Sequence, residues 1–126
     1  MSWQEYVEET MIGTGTIKSG VIVSHEGDIW ACSKDISPTD AELKEIIGAF
    51  EDSSTIRSNG VHISGVKYFT LKCDQRSIYG KNKADGCICV RTNQTVLIGL
   101  YGDGMPAGNA AKTVEELGDY FIEQGY

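Results

Sequence analysis

The sequence predicts an α+β domain in which helices cover a mostly antiparallel sheet. Three observations lead there. After Gly60 the apolar residues recur with period two almost to Tyr101. The segments at both ends and one near residue 40 carry apolar stripes at i+3 and i+4 spacing, with helix-capping residues before them. The links between successive strand-like runs are too short for crossover helices, which forces antiparallel pairing.

The elements follow in order. Ser2 is an N-cap and Glu5 completes a capping box. Trp3, Tyr6, Val7, Thr10 and Met11 form one stripe, and Gly13 and Gly15 end that helix. Strands are expected over Ile17 to Ser24 and Asp28 to Ser33, with His25-Glu26-Gly27-Asp28 as the turn. Ser37 is read as the cap of a second helix, with Pro38 in its first position and Leu43, Ile46, Ile47 and Phe50 on its apolar face. Glu51 to Asn59 is a polar connection with room for one extra helical turn. Five strands follow: Val61 to Ile63, Val66 to Cys73, Ser77 to Tyr79, Cys87 to Thr92 and Val96 to Tyr101, with Lys81 to Gly86 read as a turn. The last helix spans Pro106 to Glu123, its stripe being Ala107, Ala110, Ala111, Val114, Leu117 and Phe121. Gly118 within it either weakens the helix or admits a close neighbour.

The 126 residues fit one domain, here 1–126. The formal charge of -7 argues against general nucleic-acid binding, which needs surplus Lys and Arg. That charge is uneven. From Lys67 to Arg91 six bases face only Asp74 and Asp85, leaving +4, whereas the remainder holds five bases and sixteen acids, or -11. Such a split suits an acidic partner met by one basic face. No apolar run reaches the roughly 20 residues of a membrane span, and the first residues do not read as a signal peptide, so a cytosolic location is expected.

No catalytic motif, P-loop or metal-spaced cluster stands out, and no cofactor is implied; an enzyme is not expected. Cys32, Cys73, Cys87 and Cys89 form no C-x-x-C pair, and Cys87 and Cys89 in a strand face the same side. Reduced, partly buried thiols are expected.

The aromatic residues point to a function. Trp3, Tyr6, Tyr120, Phe121 and Tyr126 lie in the first six or last seven residues, and ends rarely carry large rings unless docked. If both terminal helices lie on one sheet face, these rings converge with Trp30. A row of Trp and Tyr suits a polyproline II ligand, whose rings stack and whose carbonyls accept N–H and O–H donors.

At this point the chain resembles the profilins. Ser2-Trp3-Gln4 leading to Tyr6-Val7, Trp30, and Asp119 to Tyr126 carry the likeness, with Ile56 to Gly60, Arg76 to Lys81 and Thr95 to Tyr101. These blocks look most like the short profilins of amoebae and other protists. The resemblance implies the terminal helices on one sheet face and a further helix on the other. It also implies a cytoplasmic, cytoskeleton-associated monomer that binds monomeric actin, promotes nucleotide exchange and delivers monomers to barbed ends. Proline-rich ligands such as formins, and phosphoinositides, are the other implied partners.

By position the proline-rich site is Trp3, Tyr6, Trp30, Tyr120, Phe121 and Tyr126. The actin face falls on Lys67, Thr70, Lys72, Arg91, Lys112 and Glu116. The basic insertion of vertebrate profilins is missing, and Ile122-Glu123 stands where they carry two arginines, so a weak phosphoinositide site is assigned to Lys81, Lys83 and Arg91. Two other readings of a helix-flanked sheet are a small-molecule or sensor module with an internal pocket, and an adaptor that dimerises.

Overall fold

Alternation along three central strands sends side chains into two separate cores, and that sets the architecture. In β1 (Ser19–Ser24), β6 (Asp85–Arg91) and β7 (Thr95–Tyr101), Val21, Val23, Cys87, Cys89, Val96, Ile98 and Leu100 face one way. Ile22, Ile88, Val90, Leu97 and Tyr101 face the other. A sheet apolar on both sides must be covered on both. The computed structural model describes residues 1–126 and shows how.

Seven strands form one antiparallel sheet in the order β2-β1-β7-β6-β5-β4-β3. The outer strands are β2 (Ile29–Cys32), β3 (Val61–Ile63), β4 (Val66–Cys73) and β5 (Ser77–Asn82). The first core is closed by α2 (Asp40–Ala49) and α3 (Ser54–Asn59), through Leu43, Ile46, Ala49, Phe50 and Ile56. The second is closed by the chain's two ends: the N-terminal helical segment through Val7 and Met11, and α4 (Ala107–Glu123) through Ala110, Val114, Leu117 and Phe121. The implied layering is present: terminal helices on one face, further helices on the other.

Several local expectations are refined. The N-terminal segment is capped by the Ser2–Glu5 box, but it is not a uniform α-helix. A single turn, α1 (Trp3–Glu5), widens into π-helix over Tyr6–Met11 and tightens to 3₁₀ over Ile12–Thr14. Helix α2 is capped by Thr39, not Ser37. Thr39 Oγ1 accepts from Glu42 N–H, and the Glu42 carboxylate accepts from Thr39 N–H. The same carboxylate accepts from Ser64 and Gly65 N–H, tying the helix to the β3–β4 turn. The stretch read as a turn over Lys81 to Gly86 is mostly ladder, because β5 and β6 extend to Asn82 and Asp85 and close on Lys83-Ala84. Cys87 and Cys89 share a face as expected, and all four cysteines are free.

Two glycines mark close approaches. At Gly118 in α4 a Cβ would lie 2.8 Å from Val90 Cγ1, so glycine lets the helix settle on β6. At Gly86 a Cβ would lie 2.2 Å from the ring of Tyr101, its direct cross-strand partner. Tyr101 is buried, so its ring would have to shift within the packed core. Gly86→Ala should therefore cost about 1–3 kcal/mol, read as a lower midpoint in urea unfolding. Gly108→Ala, where nothing lies within 4 Å on the exposed side of α4, should gain about 0.5–1 kcal/mol in the same measurement.

Candidate functional site

The two chain ends meet on one side of the sheet, and their aromatic rings form a continuous patch there. Trp3 is the hub. Its ring centroid lies 4.8 Å from Trp30, 4.9 Å from Tyr126, 5.4 Å from Phe121 and 6.1 Å from Tyr6. Tyr120 extends the patch, 6.2 Å from Tyr6. The Tyr120 hydroxyl beside it, followed by burial, raises the Tyr6 phenol above its ordinary value. All six rings expected from sequence are brought together, but they divide by role. Tyr120 and Tyr126 are 43% and 39% exposed, and Trp3, Tyr6 and Trp30 are half-buried. Phe121 is 1% exposed, because it belongs to the α4 stripe; it is the floor on which Trp3 and Tyr6 stand edge-on.

Hydrogen bonds fix this arrangement. The Gln4 side chain treats edge strand β2 as a partner strand would: its amide donates to Cys32 O at 3.0 Å and its oxygen accepts from Cys32 N–H at 3.3 Å. That sets Trp3 against Trp30. At the other end, Thr92 Oγ1 donates to the Tyr126 main-chain oxygen at 3.0 Å, which also accepts from Gln94 N–H. The Gln94 amide donates to Gly125 O at 3.1 Å. The β6–β7 turn thus holds Tyr126 over Trp3. Sequence reasoning gave Gln4, Thr92 and Gln94 no such part, and nothing short of the folded contacts marks them.

A second exposed surface lies at the other side of α4, on β4 and β5. Lys67, Phe69, Lys72, Tyr79 and Lys81 share this face. Lys81 is the cross-strand partner of Phe69 and Tyr79 that of Lys72, with Lys67 and Lys72 ammonium groups 5.2 and 5.0 Å from the Phe69 and Tyr79 ring centroids. Phe69 is 64% exposed and Leu71, at a break in the β4 register, 65%. Sequence reasoning missed both. The signal was there: Tyr68 and Phe69 are adjacent in a strand, so when Tyr68 goes into the core Phe69 must point out.

Between this surface and α4 sits Glu115. It accepts from Tyr79 Oη and Ser77 Oγ, each at 2.6 Å, and from Arg76 Nε at 3.1 Å. Burial and the Glu115 carboxylate push the Tyr79 phenol well up, so it stays protonated and donating.

The residues expected at the actin face are not all on this surface. Lys67 and Lys72 are. Thr70 points to the opposite face, donating to Ile56 O of α3 at 2.6 Å. Arg91 also lies on that face, 3.1 Å from the Glu51 carboxylate. Lys112 is on the outward side of α4. Glu116 lies beside Tyr6 and Tyr120, on the flank of α4 away from Glu115. Among the bases assigned to lipid, Lys83 in the β5–β6 turn and Arg91 sit at opposite ends of β6, about 20 Å apart at ~3.3 Å per residue, so one headgroup does not span them. The remaining cavities are surface grooves, and the internal pocket that a sensor module requires is not among them. No helix is long and apolar enough to cross a membrane.

Comparison with known proteins agrees with the geometry. The Profilin family model matches residues 1–126. A profilin of Saccharomyces cerevisiae is 46% identical over 127 positions, covering all of both chains. The solved structure of Acanthamoeba castellanii profilin IB superimposes with a TM-score of 0.97 at 41% identity, over 99% of this chain and all of that one. Mouse profilin IIa, solved with a double repeat from the FH1 domain of mDia1, shares the fold at a TM-score of 0.82 and 20% identity over the full length of both. With one family covering every residue and relatives matching it end to end, this non-enzymatic chain belongs to the profilin family.

Proposed function

We propose that this chain binds monomeric actin and proline-rich ligands of the formin type, promoting nucleotide exchange and delivering monomers to barbed ends in the cytoplasm. The observation that carries the proposal is the aromatic patch. Five partly exposed rings, four from the chain ends and Trp30 from β2, stand on a packed floor, and each carries a donor: the indole N–H of Trp3 and Trp30 and the hydroxyls of Tyr6, Tyr120 and Tyr126. A polyproline II segment has flat rings to stack and free carbonyls to accept, and loses little entropy on docking. The rings are already fixed by Gln4, Thr92 and Gln94, so little ordering remains to oppose binding.

For actin we assign the β4–β5 surface, centred on Phe69 and Leu71 and ringed by Lys67, Lys72 and Lys81, with Lys112 on the adjoining helix. Exposed apolar residues rimmed by like charges are the composition of a docking surface, and positive charge suits an acidic partner. Lys81 and Lys83 remain for a weak contact with phosphoinositides. Strands β2 and β4 are five strand spacings apart in the sheet, or about 24 Å, which is the separation this reading gives the two sites. A proline-rich tether and an actin monomer are then held at once, and the tether raises the local concentration of actin.

Trp3→Ala should weaken poly-L-proline binding at least tenfold in a fluorescence titration and leave actin affinity within about twofold. Unchanged proline affinity would sink the assignment of the patch. Phe69→Asp should reduce actin-monomer binding more than tenfold, measured by acceleration of labelled-nucleotide exchange. Because the Phe69 side chain is mostly exposed, its unfolding midpoint should stay near that of the unmodified chain. A folded Phe69→Asp protein with full exchange activity would refute the actin assignment.

A further inference from the structure

Beside the aromatic patch runs a groove of about 400 Å3 between the N-terminal helical segment and α4. Tyr6 and Tyr120 belong to both, so a chain stacked on the patch passes directly to the groove. Its walls are unlike the patch. Tyr6, Tyr120 and Leu117 give an apolar side, Thr10 and Thr113 add hydroxyl-bearing side chains, and Glu116 is the only charged side chain on it, with Met1 and the chain's N-terminal amine at the margin shared with the patch.

Glu116 has no ion-pair partner. Lys112 lies one turn away at a spacing that often pairs, yet no contact forms. The surroundings are acidic as well: residues 1–14 hold Glu5, Glu8 and Glu9 with no basic side chain and only the N-terminal amine against them, and residues 107–126 hold four acids against Lys112 alone.

We infer that this groove is a specificity subsite for a basic residue flanking the proline-rich segment. The inference rests on the proline-binding reading above. A Lys or Arg side chain has a long hydrocarbon stem and a cationic head, which matches an apolar wall that ends in an unpaired carboxylate. An acidic flank meets the unpaired Glu116 carboxylate at the same place, so the groove discriminates by repulsion as well as attraction. The chain thereby favours proline-rich ligands with Lys or Arg at one boundary over those with Asp or Glu.

The test uses the full chain and synthetic peptides of ten prolines, unflanked or carrying a single Lys or a single Glu at either end, followed by tryptophan fluorescence at low salt. At one of the two ends, Lys should bind about three- to fivefold tighter than Glu, and the difference should shrink in 0.5 M salt. Glu116→Gln should remove most of that difference, while Glu45→Gln, which deletes the same charge on α2 across the sheet, should keep it. Equal binding of Lys and Glu peptides at both ends would overturn the subsite, as would a preference that survives Glu116→Gln. If the unflanked peptide fails to bind, the proline-binding reading falls and this inference with it. If it binds and the flank is without effect, only the subsite falls.

Discussion

Two-sided burial of β1, β6 and β7 is the constraint on which the rest depends. Side chains that alternate between two cores leave no solvated face on the central sheet, so each side must recruit a cover. One side takes α2 and α3 from the middle of the chain. The other has only the two ends of the chain available. The N-terminal segment and α4 are therefore held side by side by hydrophobic burial, and the rings at their tips are brought within contact distance as a consequence. The patch owes its rigidity to that core, with Phe121 serving both.

Much of this was legible in the sequence, for reasons of parity and period. The Ser2–Glu5 box, the α4 stripe, the shared face of Cys87 and Cys89 and the convergence of terminal aromatics all follow from local spacing. Three features were not. The widening of the N-terminal helix over Tyr6–Met11 depends on how Val7 and Met11 seat on the sheet, which periodicity does not encode. Thr39 displaced Ser37 as cap because Glu42, three residues on, completes its box, whereas the residue three after Ser37 is Asp40, whose shorter side chain is not the Glu or Gln that a box uses. On β4 a break in register near Leu71 changes which residues point outward, so Thr70 and Lys72 fall on opposite faces despite their even spacing.

Charge shows the same limit. The stretch from Lys67 to Arg91 is basic in sequence, but the fold does not deliver it to one surface. Lys67, Lys72 and Lys81 stand together, Arg91 turns to Glu51 on the far side, and Arg76 is taken up by Glu115 and Asp119. Bases engaged by carboxylates at about 3 Å give little field to a partner. What remains is a small cluster around exposed Phe69, Lys67 and Lys81 with Lys72, which itself lies 3.8 Å from the Asp74 carboxylate, and this favours a docked protein over a diffuse anionic membrane.

Helix α4 is shared by both proposed sites, through Tyr120 on one flank and Glu115 on the other, and this raises the question of whether they communicate. Coupling between sites needs an element with two packings that each ligand prefers differently. The seat of α4 is close-packed. Gly118 meets β6 at a distance that excludes even a methyl group, and Glu115 is held by Arg76 and by Ser77 and Tyr79 of β5. A helix held this closely on the sheet and on its Glu115 flank has little room to shift, so the two proposed sites are expected to bind independently. On the proposed function, cooperation between them would come from tethering, as effective concentration set by the ligand's own linker rather than by a change in this chain.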